Sequence, residues 1–163
     1  MIVAKTPCQS GRAGHPAHLA AHCAQPIVFL TCTTHGRRQV LADERVHAEL
    51  RGLWERSGEI NGWYVGVYVL MPDHVHLFAR QAPASDSLAK WMGMWKSVSA
   101  RRIAKLMSID PPVWQEDYFD RFLRSSENYS EKWAYVDANP VRAGLIADGA
   151  AWPYRGRITD LTV

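Results

Sequence analysis

The chain predicts an α+β domain built on an antiparallel sheet, and three observations lead there. Apolar, β-branched runs occupy residues 27–34 and 63–71, as buried strands do. Residues 43–57 and 85–107 place apolar side chains at helical spacing, which marks two amphipathic helices. A Pro-Asp pair at 72–73 joins two strand-like runs with almost no connection between them, so those strands form a hairpin.

The elements follow in order. Residues 1–25 are rich in Ala, Gly and His without a sustained period, and read as a flexible leader; residues 26–163 read as one domain. Within the leader, His18 and His22 stand four apart, a spacing that can hold zinc on a helix, although incidental histidines in a tail is the simpler reading. The first strand, 27–34, runs into a basic turn at His35-Gly-Arg-Arg38. Asp43 caps a helix whose inner face carries Val46, Leu50, Leu53 and Trp54. That helix is expected to end near Ser57, where Gly58 through Gly62 break it. The hairpin strands are 63–71 and 74–80. Ser85 and Asp86 open a second helix with Leu88, Trp91, Trp95, Val98 and Leu106 inward, and Lys90, Arg101 and Lys105 together on a flank. Residues 118–123 are strand-like. Ser125 or Ser126 caps a last helix running toward Asn139, which Pro140 stops or kinks. Beyond Gly144 the chain reads as short and irregular. Strand, helix, strand, strand, helix, strand, then helix is the βαββαβ order of a ferredoxin-like sheet.

Composition narrows the function classes. With 163 residues and 47% hydrophobic content, a packed core is expected rather than disorder. The net charge of +3 and pI near 8.9 permit a nucleic-acid partner without requiring one. Seven tryptophans are many for this length; some belong to the core and others are candidates for stacking on bases. The three cysteines, Cys8, Cys23 and Cys32, form no Cys-x-x-Cys, which argues against a disulfide framework or a cysteine zinc site and fits a cytoplasmic, nucleoid-associated protein. No apolar run reaches membrane-spanning length.

Two constellations carry chemistry. In Met71-Pro-Asp-His-Val-His-Leu-Phe78, His74 and His76 alternate with Val75. On a strand both imidazoles project from one face, close enough to share a metal ion. A histidine-triad hydrolase would need a histidine at position 78, which is Phe, and a zinc deaminase would need a later Cys-x-x-Cys. In Lys132-Trp-Ala-Tyr-Val-Asp-Ala-Asn-Pro-Val-Arg-Ala-Gly144, Tyr135 and Asn139 stand four apart, so on a helix they share a face. That pair fits a nucleophile beside a metal ligand, although a half-buried tyrosine and a helix-ending asparagine before Pro140 is the simpler reading of these residues alone.

Three blocks together, Met71-Pro-Asp-His-Val-His-Leu, Val113-Trp-Gln-Glu-Asp-Tyr-Phe-Asp120 and Tyr135-Val-Asp-Ala-Asn-Pro-Val-Arg-Ala-Gly-Leu145, resemble the REP-associated tyrosine transposases. These are relatives of the IS200/IS605-type Y1 transposases within the HUH endonucleases. Phe29-Leu-Thr-Cys-Thr-Thr-His-Gly-Arg37 is similar to that family's first strand and turn. The resemblance covers about residues 26–155. It implies that His74, His76 and Asn139 ligate a divalent metal ion, Mg or Mn, and that Tyr135 is the catalytic tyrosine on a C-terminal catalytic helix. The implied activity is metal-dependent cleavage and strand transfer on single-stranded DNA at hairpin-forming repeats, through a 5′-phosphotyrosine. A ligand set of two imidazoles and an amide suits Mn²⁺ better than Mg²⁺. Arg37, Arg38, Lys90, Arg101, Lys105 and Arg142 are the candidate DNA contacts. Relatives occur as monomers and as swapped homodimers. Two rival readings are a repeat-DNA-binding protein that does not cut and a metal phosphohydrolase of small nucleotides.

Overall fold

A computed structural model describes residues 25–123 and 126–161. Its described elements are β1 (Ile27–Thr33), a 3₁₀ turn (His35–Arg37), α1 (Glu44–Asn61), β2 (Trp63–Leu70), β3 (His74–Gln81), α2 (Leu88–Met107), β4 (Phe119–Phe122), α3 (Ser126–Asp137), α4 (Asn139–Arg142) and β5 (Arg155–Arg157). The strands form one antiparallel sheet in the order β4-β1-β3-β2-β5. The first four strands keep the ferredoxin-like order expected from the sequence. The expected leader and the His18–His22 pair lie outside the described residues, as does Ser125.

Strand alternation divides the molecule into layers. Val28, Leu30 and Cys32 of β1, with Val75, Leu77 and Ala79 of β3, face α1 and α2 and join Leu50, Trp54, Trp91 and Trp95 in the larger core. Phe29 and Phe78 point the other way and join Val69, Val136 and Leu161 under α3. A bulge in β2 preserves this division: Val65 pairs with Ala79 and Tyr68 with Leu77, so Gly66 and Val67 together oppose Phe78. Val65 and Tyr68 thereby stay on the α1–α2 side, while Val67 and Val69 face α3.

The helix ends differ from expectation for local reasons. Asp43 caps α1 as predicted, accepting from the Arg45 amide at 2.9 Å and the Val46 amide at 3.4 Å. The helix then passes Ser57 and continues to Asn61. Gly58 does not break it; the Tyr64 ring lies where a Cβ would be, 2.6 Å from Cε1, so glycine here answers to packing. The terminator is Gly62, whose φ of 72° is the left-handed cap. Ser87, not Ser85 or Asp86, caps α2, accepting from the Lys90 amide at 3.3 Å. Asp86 instead accepts from Lys90 Nζ at 2.7 Å and Asn61 Nδ2 at 2.9 Å.

Two expectations are corrected. The C-terminal stretch is not wholly irregular: β5 pairs with β2, Gly156 opposite Tyr68, and Trp152 Nε1 donates to the Leu70 carbonyl at 2.7 Å. Five of the seven tryptophans are not base-stacking candidates: Trp54, Trp63, Trp91, Trp95 and Trp114 are buried in the larger core, while the half-buried Trp133 and Trp152 pack against the smaller one.

Candidate active site and nucleic-acid interface

The site begins with the register of β1 against β3. His74 and His76 lie on the α3 side of the sheet while Val75 is fully buried opposite. Their ring centroids are 4.7 Å apart at an interplanar angle of 79°. Each ring is held at its Nδ1. Asp73 Oδ1 meets His74 Nδ1 at 2.6 Å, and Thr31, directly across the ladder from His76, places Oγ1 2.8 Å from His76 Nδ1. An ionised carboxylate can only accept, so the His74 Nδ1 carries the proton and a neutral ring leaves a lone pair on Nε2. Thr31 as acceptor does the same for His76. In metal sites generally, a partner on the second ring nitrogen orients the histidine in this way.

Electrostatics agree with that arrangement. Burial, then the neighbouring His74 and Lys132, pushes the His76 pKa down to about 3, so the ring is neutral at physiological pH. Partial burial raises the Asp73 carboxyl, but hydrogen bonds and charge from His74 and Arg37 outweigh it and the net shift is downward. Arg37 Nη1 lies 3.2 Å from Asp73 Oδ2, making a relay from Arg37 through Asp73 to His74. Among the described residues no three His, Cys, Asp or Glu side chains converge on a common point. A third protein donor beside the two histidines would therefore be of another type.

Tyr135 reaches the same side of the sheet from α3. That helix is seated by Tyr129 and Trp133, whose rings meet Phe78 at centroid distances of 5.1 Å and 6.2 Å. Tyr135 itself is 51% exposed. Lys132, one turn earlier, lies 5.3 Å from the Tyr135 ring centroid and 4.5 Å from that of Phe29. Phe29 in turn stacks on His76 at 5.5 Å. The Arg142 guanidinium lies 4.3 Å from the Tyr135 centroid. A continuous path of His74, His76, Phe29, Lys132, Tyr135 and Arg142 thus joins the imidazoles to the tyrosine. The helix is interrupted only at Ala138, between α3 and α4, and the half-buried Asn139 begins α4 one turn beyond Tyr135.

The predicted DNA contacts fall into three groups. Arg142 stands at the tyrosine. Arg37 belongs to the Asp73 relay, and Arg38 donates to the carbonyls of His35 at 3.3 Å, Asp110 at 2.8 Å and Pro112, tying the 3₁₀ turn to a loop. Lys90, Arg101 and Lys105 sit on α2, on the opposite face of the sheet from the histidines, and Lys90 is paired with Asp86. Sequence reasoning passed over Thr31, Asp73, Phe29 and Lys132. Only strand register could have found Thr31, whereas Lys132, three residues before Tyr135, was within reach of helical spacing. Cys32 is inert: burial pushes its thiol up to about 12.

Residues 23–138 match the family model described as "Transposase IS200 like". The chain belongs to the IS200-like transposase family. Members are DNA strand-transfer enzymes, and the matched span holds both histidines and Tyr135, ending one residue before Asn139. The chain is 22% identical over 130 residues to the REP-associated tyrosine transposase of Escherichia coli (strain K12), covering 77% of this chain and 73% of that one. Among solved structures, a REP-associated tyrosine transposase bound to a REP hairpin superposes with a TM-score of 0.65 at 16% identity, over 90% of this chain and 94% of the other. The likeness read from the sequence blocks and the ferredoxin-like fold both stand. Among the described residues no helix is long and apolar enough to cross a membrane.

Proposed function

We propose that this transposase is a metal-dependent single-strand DNA endonuclease and strand transferase that acts on hairpin-forming repeats through Tyr135. One observation carries the reading: a half-exposed tyrosine stands between two cations, on a helix seated over the sheet face that holds two oriented histidines. Neither a pure binder nor a small-nucleotide hydrolase needs that tyrosine. The neighbour solved with a REP hairpin supports a folded single strand as substrate.

The residues fit a divalent ion, because both imidazoles are fixed at Nδ1 and burial keeps His76 neutral. His74, His76 and the Asn139 amide would hold it. When bound, Mg²⁺ or Mn²⁺ supplies polarisation of the scissile phosphate and offsets charge in the transition state.

The protein's own groups do the rest. Lys132 and Arg142 hold phosphate oxygens beside the tyrosine, because both cations already lie against its ring. The Tyr135 hydroxyl attacks phosphorus and loses its proton, for which the exposed side of the ring offers a route to water. The P–O3′ bond breaks, and the departing oxygen takes up a proton to become a free 3′-OH. The downstream strand remains on Tyr135 as a 5′-phosphotyrosine. One phosphodiester is exchanged for another, so an incoming 3′-OH can reverse the attack and join a different strand without ATP.

A single gel tests this. A labelled hairpin oligonucleotide drawn from repeats near the gene is incubated with Mn²⁺ or with EDTA, beside the Tyr135→Phe protein. A denaturation-resistant slow band that needs both metal and Tyr135 is expected. A retarded native band without adduct under any metal would favour the non-cutting binder.

A further inference from the structure

The edge strand β4 brings two side chains to the histidine face that the proposed chemistry does not use. Alternation along β4 turns Phe119 and Arg121 toward α3, opposite Thr31 and Phe29, and turns Asp120 and Phe122 to the other face. Thr31 is also the partner of His76. Phe119, Thr31 and His76 therefore form one row across three strands, with roughly 10 Å, two strand spacings, between its ends. The Phe119 ring meets Phe29 edge-on at a centroid distance of 6.1 Å, and Phe29 stacks on His76. That contact still leaves Phe119 54% exposed.

Arg121 connects this row to the tyrosine. It lines a cleft of about 710 Å³ between β4 and α3, with Leu123, Glu131, Lys132 and Tyr135 among its other walls. Neither Arg121 nor Lys132 forms an ion pair among the described residues. The two cations outweigh the one carboxylate on the wall, Glu131, and both stay free for phosphate. An exposed ring beside free cations matches the alternation of base and phosphate along a single strand: bases stack on aromatic rings while the cations track the backbone. A duplex cannot use such a ring, because its base faces already cover one another.

We infer that Phe119 and Arg121 seat the unpaired nucleotide next to the scissile phosphate, its base stacked on Phe119 and the neighbouring phosphate held by Arg121. The seat accepts any base, because every base has a π face. This rests on the proposed cleavage by Tyr135, which fixes the scissile phosphate.

The test uses the Tyr135→Phe protein, so that no reading depends on cleavage. Hairpin oligonucleotides with single-stranded flanks carry 5-iodouracil at one unpaired position at a time. Near-ultraviolet light joins the iodinated base to an aromatic ring lying against it, and mass spectrometry identifies the peptide. A crosslink to Phe119 is expected from one position beside the cut that the wild type makes. In the same Tyr135→Phe background, Phe119→Ala loses the crosslink and about tenfold in affinity. Phe119→Trp retains both, and Phe122→Ala, altered on the opposite face, changes neither. Crosslinks confined to other residues, or full affinity in the Phe119→Ala protein, overturn the stacking seat. Arg121→Gln is expected to reduce the slope of log affinity against log salt by about 0.7, the share of one phosphate on a single strand; an unchanged slope overturns the Arg121 contact. Adduct formation by the wild type without a Phe119 crosslink overturns the seat alone. A Phe119 crosslink without any wild-type adduct overturns cleavage by Tyr135 and leaves a single-strand binder. Failure to bind the oligonucleotides at all overturns both.

Discussion

Asp73 sets which nitrogen His74 can offer, and Thr31 holds the His76 ring at Nδ1, so both bear on the proposed use of two imidazoles as one binding site. Outer partners of this kind are worth about 10- to 100-fold in metal affinity. Asp73→Ala is therefore expected to weaken Mn²⁺ binding by that order, measured by titration calorimetry on the protein without DNA. An affinity equal to the wild type would remove Asp73 from the site. Thr31→Val keeps the shape and deletes the hydroxyl, so a smaller loss in the same direction is expected. The two histidines were legible in the sequence because period-two spacing places them on one face whatever the partner strand. Thr31 was not, because only the pairing of β1 with β3 brings it opposite His76 across 45 residues. Arg38 shows the converse: its charge was visible, but two of the three carbonyls that claim it, those of Asp110 and Pro112, belong to a distant loop.

Among the elements, α1 and α3 cover opposite faces of the sheet, and the end of α1 is set by a close contact and a left-handed cap rather than by composition. Gly58 and Gly62 look alike as letters. One yields to a tyrosine ring, and the other adopts a left-handed conformation that costs an L-residue about 1–2 kcal/mol. Gly62→Ala is expected to lower stability by at least that amount in a denaturant melt, because a Cβ would also fall 2.7 Å from Ser85 Cβ and 2.9 Å from its Cα; an unchanged midpoint would contradict the cap assignment. Burial on both faces of β1 and β2 made them plain as apolar runs, whereas β5 is three residues, Arg-Gly-Arg, with no alternation to read. It exists because β2 offers an unpaired edge and Trp152 anchors the approach. Trp152→Phe removes the bond to Leu70 and is expected to cost about 1 kcal/mol, or more if the carbonyl stays unpaired. No change in stability would mean that β5 docks without it.

Over the whole molecule, the sheet separates a structural side from a chemical side. The side under α1 and α2 holds the buried tryptophans, and the side under α3 holds the histidines, Tyr135 and the cleft. This division also places the basic flank of α2 away from the histidines: helical spacing groups Lys90, Arg101 and Lys105 but cannot say which face of the sheet the helix covers. It also bears on assembly. Because α3 is seated on its own chain's sheet through Tyr129 and Trp133, the tyrosine is expected to serve the histidines of the same chain. Mixing inactive Tyr135→Phe and His76→Ala proteins should then restore no adduct, whereas recovered adduct would show exchange of the helix between subunits.

The central claim is that Tyr135 becomes covalently joined to DNA beside the paired histidines. The most direct measurement is peptide mass spectrometry of the protein after reaction with hairpin DNA, Mn²⁺ and nuclease trimming. The account predicts a nucleotide phosphate on the peptide containing Tyr135, and none when His76 is changed to alanine. A phosphate adduct on another residue, or cleaved DNA with Tyr135 unmodified throughout, would contradict it.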